Sequence, residues 1–168
     1  MIKGTDRYPA VLILISVLLF SSCNNDVIYS DSAVMQDNRW DLFDVPVFDV
    51  PVTDTLNSNN VSFTIRTGSS YPFRNIYLFV TTISPDGKSI TDTLQYFLAD
   101  EKGRWYGKGF GDIHELGLPY KTNVYFPLKG VYEFKIRHGM RVEDLKGVYD
   151  IGLRIEKISN FDSGSGKE

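Results

Sequence analysis

Catalysis needs nucleophiles, bases or metal ligands at workable spacing, and this 168-residue chain offers few: one cysteine, two histidines and a scatter of carboxylates. His138 has no ligand-type neighbour and His114 has the adjacent Glu115, short of the three or four ligands that a zinc site takes. No G-x-S-x-G elbow occurs. Cys23 precedes the folded region, so no Cys-His nucleophile can be assembled inside it. Asp100, Glu101, Asp112 and Glu115 flank a glycine-rich stretch and could in principle supply a glycosidase carboxylate pair. Acidic residues are so frequent in turns that solvated turn residues are the plainer reading. The expectation is a non-enzymatic protein with no metal and no cofactor.

Cys23 has a different chemistry in view. Lys3 and Arg7 precede an apolar run, Ala10 to Phe20, interrupted only by Ser16. That run falls short of the roughly 20 apolar residues that span a bilayer. A basic start, an apolar centre and the small residues Ser21 and Ser22 instead describe a signal peptide over residues 1–22. Leu19-Phe20-Ser21-Ser22-Cys23 resembles a bacterial lipobox, with Phe20 where leucine is usual. Cleavage before such a cysteine leaves its thiol and new amino group to carry acyl chains. Each buried acyl methylene contributes about 0.8 kcal/mol, and two or more chains anchor stably. A lone thiol in an oxidising compartment is otherwise a liability, which supports lipidation of Cys23 over a disulfide or metal role.

What remains must fold as one unit. The chain carries a net charge of −3, and removal of Lys3, Arg7 and Asp6 with the leader keeps it acidic. Nucleic-acid binding wants clustered Lys and Arg, so that class is excluded. A domain of this size buries about 70% of its unfolded surface. Eleven Phe, ten Tyr and two Trp supply the core.

The patterning is β throughout. Residues 23–38 read as the lipidated cysteine and a tether, or as a first edge strand. Pro46 and Pro51 confine Val45–Val52 to a sheet edge. Val61, Phe63 and Ile65 alternate with polar residues at the period of a half-buried strand. Ile76–Ile83 is apolar on both faces, which predicts a central strand. Asp86-Gly87 marks a hairpin into Lys88–Ala99. A second hairpin is expected from Asn123–Pro127 to Val131–Arg137, and Ile151, Leu153 and Ile155 form a last strand. Met140–Lys146 has a helical look with Gly147 as its cap. About seven or eight short strands and one short helix predict an antiparallel β-sandwich over residues 39–159, with a disordered tail at 160–168.

Two aromatic segments are candidate contact surfaces. Gly103-Arg104-Trp105-Tyr106-Gly107 and the glycines up to Gly111 would let Trp105 and Tyr106 stack on a sugar or a partner protein, or make a bulged strand whose Trp105 caps the core. Tyr71-Pro72-Phe73-Arg74-Asn75 is either a second surface or a turn into the central strand.

Taken together, Tyr71 to Val80, Asp92-Thr93, Leu98-Ala99-Asp100, Gly103 to Gly109, Gly139-Met140-Arg141 and Leu145 to Glu156 resemble the gliding motility lipoprotein family GldH of Bacteroidetes, from about Val27 to Ile158. The resemblance implies a cell-envelope lipoprotein associated with the gliding machinery and, through it, with type IX secretion. It carries no catalytic residue over. Tyr71, Phe73, Arg74, Trp105, Tyr106 and Arg141 are its candidate partner-binding or structural positions. Asn24-Asn25-Asp26-Val27 has neither an aspartate after the cysteine nor the Lys- or Gln-led acidic run of surface export. An outer-membrane anchor facing the periplasm follows as the expected placement. The reading from another class is a glycan-binding lipoprotein of a polysaccharide-uptake system, with Trp105 and Tyr106 as its stacking platform.

Overall fold

The period-2 strands find their partners in two stacked antiparallel sheets. The computed structural model describes residues 26–158. Its strands are β1 (Val27–Val34), β2 (Arg39–Asp41), β3 (Val47–Val52), β4 (Asn59–Gly68), β5 (Asn75–Ile83), β6 (Ser89–Phe97), β7 (Lys108–Phe110), β8 (Ile113–Val124), β9 (Gly130–His138), β10 (Asp144–Lys146) and β11 (Val148–Lys157). One sheet runs β1-β11-β4-β8-β7, the other β3-β9-β5-β6, and β10 pairs with β2 in a separate two-stranded ribbon. The all-β sandwich expected from the patterning is therefore the fold, and the three shortest strands account for the excess over the expected count.

Alternation decides what each sheet buries. Val61, Phe63 and Ile65 of β4 lie beside Ile155, Leu153 and Ile151 of β11 and point inward, all buried. Ile76, Leu78 and Val80 of β5, with Phe134 and Ile136 of β9 and Phe48 and Val50 of β3, face them from the other sheet. Burying each such side chain contributes about 1.5–3 kcal/mol. On the outer side of the first sheet, Arg66 pairs with Asp150, its register neighbour on β11.

Several sequence expectations are revised. Of the two readings of residues 23–38, the strand is adopted over Val27–Val34, where β1 runs along β11. The helix expected over 140–146 does not form. Leu145, fully buried, pairs with Trp40 across β10 and β2, and a lone two-turn helix has little intrinsic stability with which to compete. Gly147 does take a left-handed φ of 76°, but at a turn between strands. The hairpin expected around residues 128–130 is also absent. β8 belongs to one sheet and β9 to the other, so residues 125–129 cross between the layers, carrying buried Phe126 into the core. The tail at 160–168, the leader and Cys23 lie outside the described residues.

Candidate functional site

The outer face of the second sheet is where solvent-reaching aromatics and cations meet. Inward Ile76, Leu78 and Val80 leave Asn75, Tyr77, Phe79 and Thr81 on the opposite side of β5. Two hollows follow one another along these positions. The larger, of about 590 Å³, is lined by Phe73, Asn75, Tyr77, Gly139, Met140, Arg141 and Val142. The smaller, of about 330 Å³, is lined by Val45, Phe79, Thr81, Thr91, Lys135 and Arg137. They share no lining residue, and as neighbours along one face of the strand they are together termed the groove along β5.

The loop after β9 builds the near wall. The Gly139 amide donates to the Tyr77 carbonyl at 2.7 Å, and the Tyr77 amide donates to Met140 Sδ at 3.4 Å. Both backbone groups of Tyr77 are thereby held by consecutive loop residues. A Cβ at position 139 would stand 2.8 Å from the Phe79 ring, so only glycine lets the loop lie this close. Arg137, the register partner of Phe79, places its guanidinium carbon 5.3 Å from that ring's centroid, a cation–π contact. Lys135 is held by Glu133 at 2.8 Å. Arg137 and Arg141 have no carboxylate partner among the described residues. Phe97, opposite Asn75 on β6 and 54% exposed, extends the apolar margin.

The candidate residues from the sequence divide between this groove and a structural cluster behind it. Phe73 and Arg141 line the groove. Tyr71 is buried, and its hydroxyl donates to the Asn75 carbonyl at 2.8 Å, fixing the entry into β5. Burial raises its pKa well above the usual tyrosine value. Tyr71 meets Phe73 edge-on at 6.0 Å and Trp105 at 6.2 Å. Trp105 stacks on His114 with centroids 5.1 Å apart and planes 12° from parallel. One face of that indole is therefore covered by the chain's own imidazole, and the ring packs against the core. Tyr106 is exposed beside it. Arg74 is exposed, and its carbonyl accepts the amides of Leu98 and Ala99.

The carboxylates near the glycine stretch are spread among separate tasks. Asp100 accepts the amides of Lys102 and Arg104 at 2.8 and 2.9 Å and the Arg104 Nε at 2.6 Å. The Arg104 amide, first among these contacts, holds its pKa below the ordinary value. Glu115 stands in register with Arg66 on β4 and with Lys108 on β7. Among the described residues no group of three or more His, Cys, Asp or Glu could hold a metal ion.

The model of the GldH lipoprotein family matches residues 27–155, the whole of the sandwich but its last strand residues. The chain belongs to the GldH lipoprotein family. The gliding motility lipoprotein GldH of Flavobacterium johnsoniae is 36% identical over 158 residues, covering 90% of this chain and 97% of that protein. A GldH homolog of Christiangramia forsetii is 31% identical over 160 residues, covering 91% and 98%. Among solved structures, the VP2 subviral particle of infectious bursal disease virus is 15% identical with a TM-score of 0.31, over 80% of this chain and 31% of that one, too loose a likeness to carry inference. As a GldH-family lipoprotein, the chain is lipid-anchored in the cell envelope.

Tyr77, Phe79, Arg137 and Met140 complete the groove along β5, and the sequence reading names none of them as a contact residue. A signal existed in Ile76–Ile83. An apolar run on both faces reads as a strand buried on both sides, whereas here one face is left half-open because no third layer of the described residues covers it.

Proposed function

We propose that this protein is a non-enzymatic, membrane-anchored scaffold that docks envelope proteins of the gliding machinery, and of type IX secretion through it, in the groove along β5. The observation that carries the reading is the pair of cations, Arg137 and Arg141, that have no carboxylate partner among the described residues and stand beside the aromatic floor of Tyr77, Phe79 and Phe73. Aromatic and Arg side chains are the residue types that dominate binding energy at protein interfaces. Guanidinium groups without internal carboxylates select an acidic partner segment. The gliding role comes from the name of the Flavobacterium relative. Cys23 is the lipidation site, and the placement that suits a periplasmic scaffold is the outer membrane with the sandwich facing inward.

The test is complementation of a deletion strain. Wild-type protein should restore gliding or secretion. An Arg137→Glu/Arg141→Glu variant, present at the same level in the envelope, should not. Restoration by that variant, or a deletion without effect on envelope complexes, counts against the scaffold.

A further inference from the structure

Among the described residues, β6 is the long strand edge of the second sheet that carries no protection. Among the described residues it pairs only with β5, through an unbroken register from Asn75–Phe97 to Ile83–Ser89. Exposed strand edges template pairing with another chain and are normally blunted by proline, charge, bulges or brevity. The other edges follow that rule. β3 carries Pro51, β7 has three residues, and β1 has a register shift near Val27 and an amide, that of Ser32, bonded to the Asp31 carboxylate. β6 has nine residues with no proline, glycine or lysine, and its only charge, Asp92, turns inward. There Asp92 accepts the Tyr120 hydroxyl at 2.6 Å and meets Lys121 Nζ at 2.9 Å.

The parity of the ladder says which groups are free. Ser84 donates its amide to the Lys88 carbonyl, so Ile90, Asp92, Leu94 and Tyr96 are the residues bonded to β5. The amides and carbonyls of Thr91, Thr93 and Gln95 therefore point off the sheet. From this we infer that β6 is a homodimer edge, pairing antiparallel with β6 of a second copy about a two-fold axis at Thr93. In that register Thr93 meets Thr93, Thr91 meets Gln95, and every free ladder group of the segment finds a partner. Ile90, 62% exposed although it points toward the core side, is set beside Tyr96 of the other copy. Asp92 faces Leu94, so no like charges oppose each other. Such self-complementarity is what an isologous contact requires, and anchoring both copies in one membrane raises their effective concentration.

Thr93→Pro separates this contact from folding, because the Thr93 amide makes no bond within the sheet and edge positions tolerate proline. The full lipidated chain in detergent should have the mass of two copies, and Thr93→Pro the mass of one with an unchanged β-sheet signal. In intact envelopes Thr93→Cys should crosslink to a second copy, while Thr91→Cys, four residues out of register with itself, should not. A wild-type mass of one copy, a Thr93→Pro protein that stays dimeric, or a Thr93→Cys adduct with a different envelope protein would each overturn the inference. The groove variant Arg137→Glu/Arg141→Glu leaves this mass unchanged, so the two readings fail independently.

Discussion

Arg137 lies over the ring of Phe79, its register partner across β9 and β5, and no carboxylate of the described chain approaches it. An aromatic ring on an outer sheet face is thereby bonded to a cation that still has donors to spend on something outside. Arg137→Ala is expected to lower stability by only about 0.5–1 kcal/mol, the worth of an exposed cation–π contact. Urea denaturation checks this, and a loss of several kcal/mol would mark Arg137 as structural.

His138 gives the fold a pH dependence. The imidazole is fully buried, edge-on to Trp40 at 5.5 Å, and among the described residues neither ring nitrogen has a hydrogen bond of good geometry. Burial lowers its pKa below 6.5, and the backbone of Glu143 and Trp40 opposes that fall without reversing it. The unfolded chain therefore binds a proton that the folded chain refuses. The contribution of the neutral ring is whole above pH 6.5 and is lost as pH falls below it. Urea midpoints at pH 7.5 and 5.5 should differ more for the wild type than for His138→Leu. Equal differences would contradict the account.

Gly147 and Gly87 both have positive φ, 76° and 83°, but only one is crowded. A Cβ at 147 would stand 2.7 Å from the Tyr71 Cα, whereas nothing lies within 4 Å at 87. Gly87→Ala should cost roughly 1–2 kcal/mol, the left-handed backbone penalty alone. Gly147→Ala should cost clearly more, because the turn that carries Tyr71 must move. Thermal unfolding of the two variants decides it, and equal losses would remove the close approach from the argument.

The two sheets were legible because burial imposes period 2 on strands such as β4, where Val61, Phe63 and Ile65 all face the core. Partner choice was not. Residues 123–127 and 131–137 look like hairpin arms, yet Asn123 takes a φ of 55° and Phe126 is drawn inward, so the chain changes layers. Met140–Lys146 has helix-forming residues, and the burial of Leu145 against Trp40 overrides them. Phe73 is a sequence candidate through its aromatic segment and Arg141 through family likeness, and both line the groove, while Arg137 was hidden because an arginine in a strand carries no local sign of what it will stack on.

Cys23→Ala should move the protein from the membrane to the soluble fraction of disrupted cells while leaving the sandwich folded. Fractionation with detection of the chain checks it. Retention in the membrane fraction would mean that something other than acylation holds the protein there.

The most direct measurement is affinity capture of the tagged lipoprotein from native envelope membranes, comparing wild type with Arg137→Glu/Arg141→Glu, followed by mass spectrometry. Wild type should bring down gliding or secretion components, and the double variant, equally folded and equally anchored, should lose them. Undiminished capture by the variant, or capture of polysaccharide-uptake proteins in their place, would contradict it.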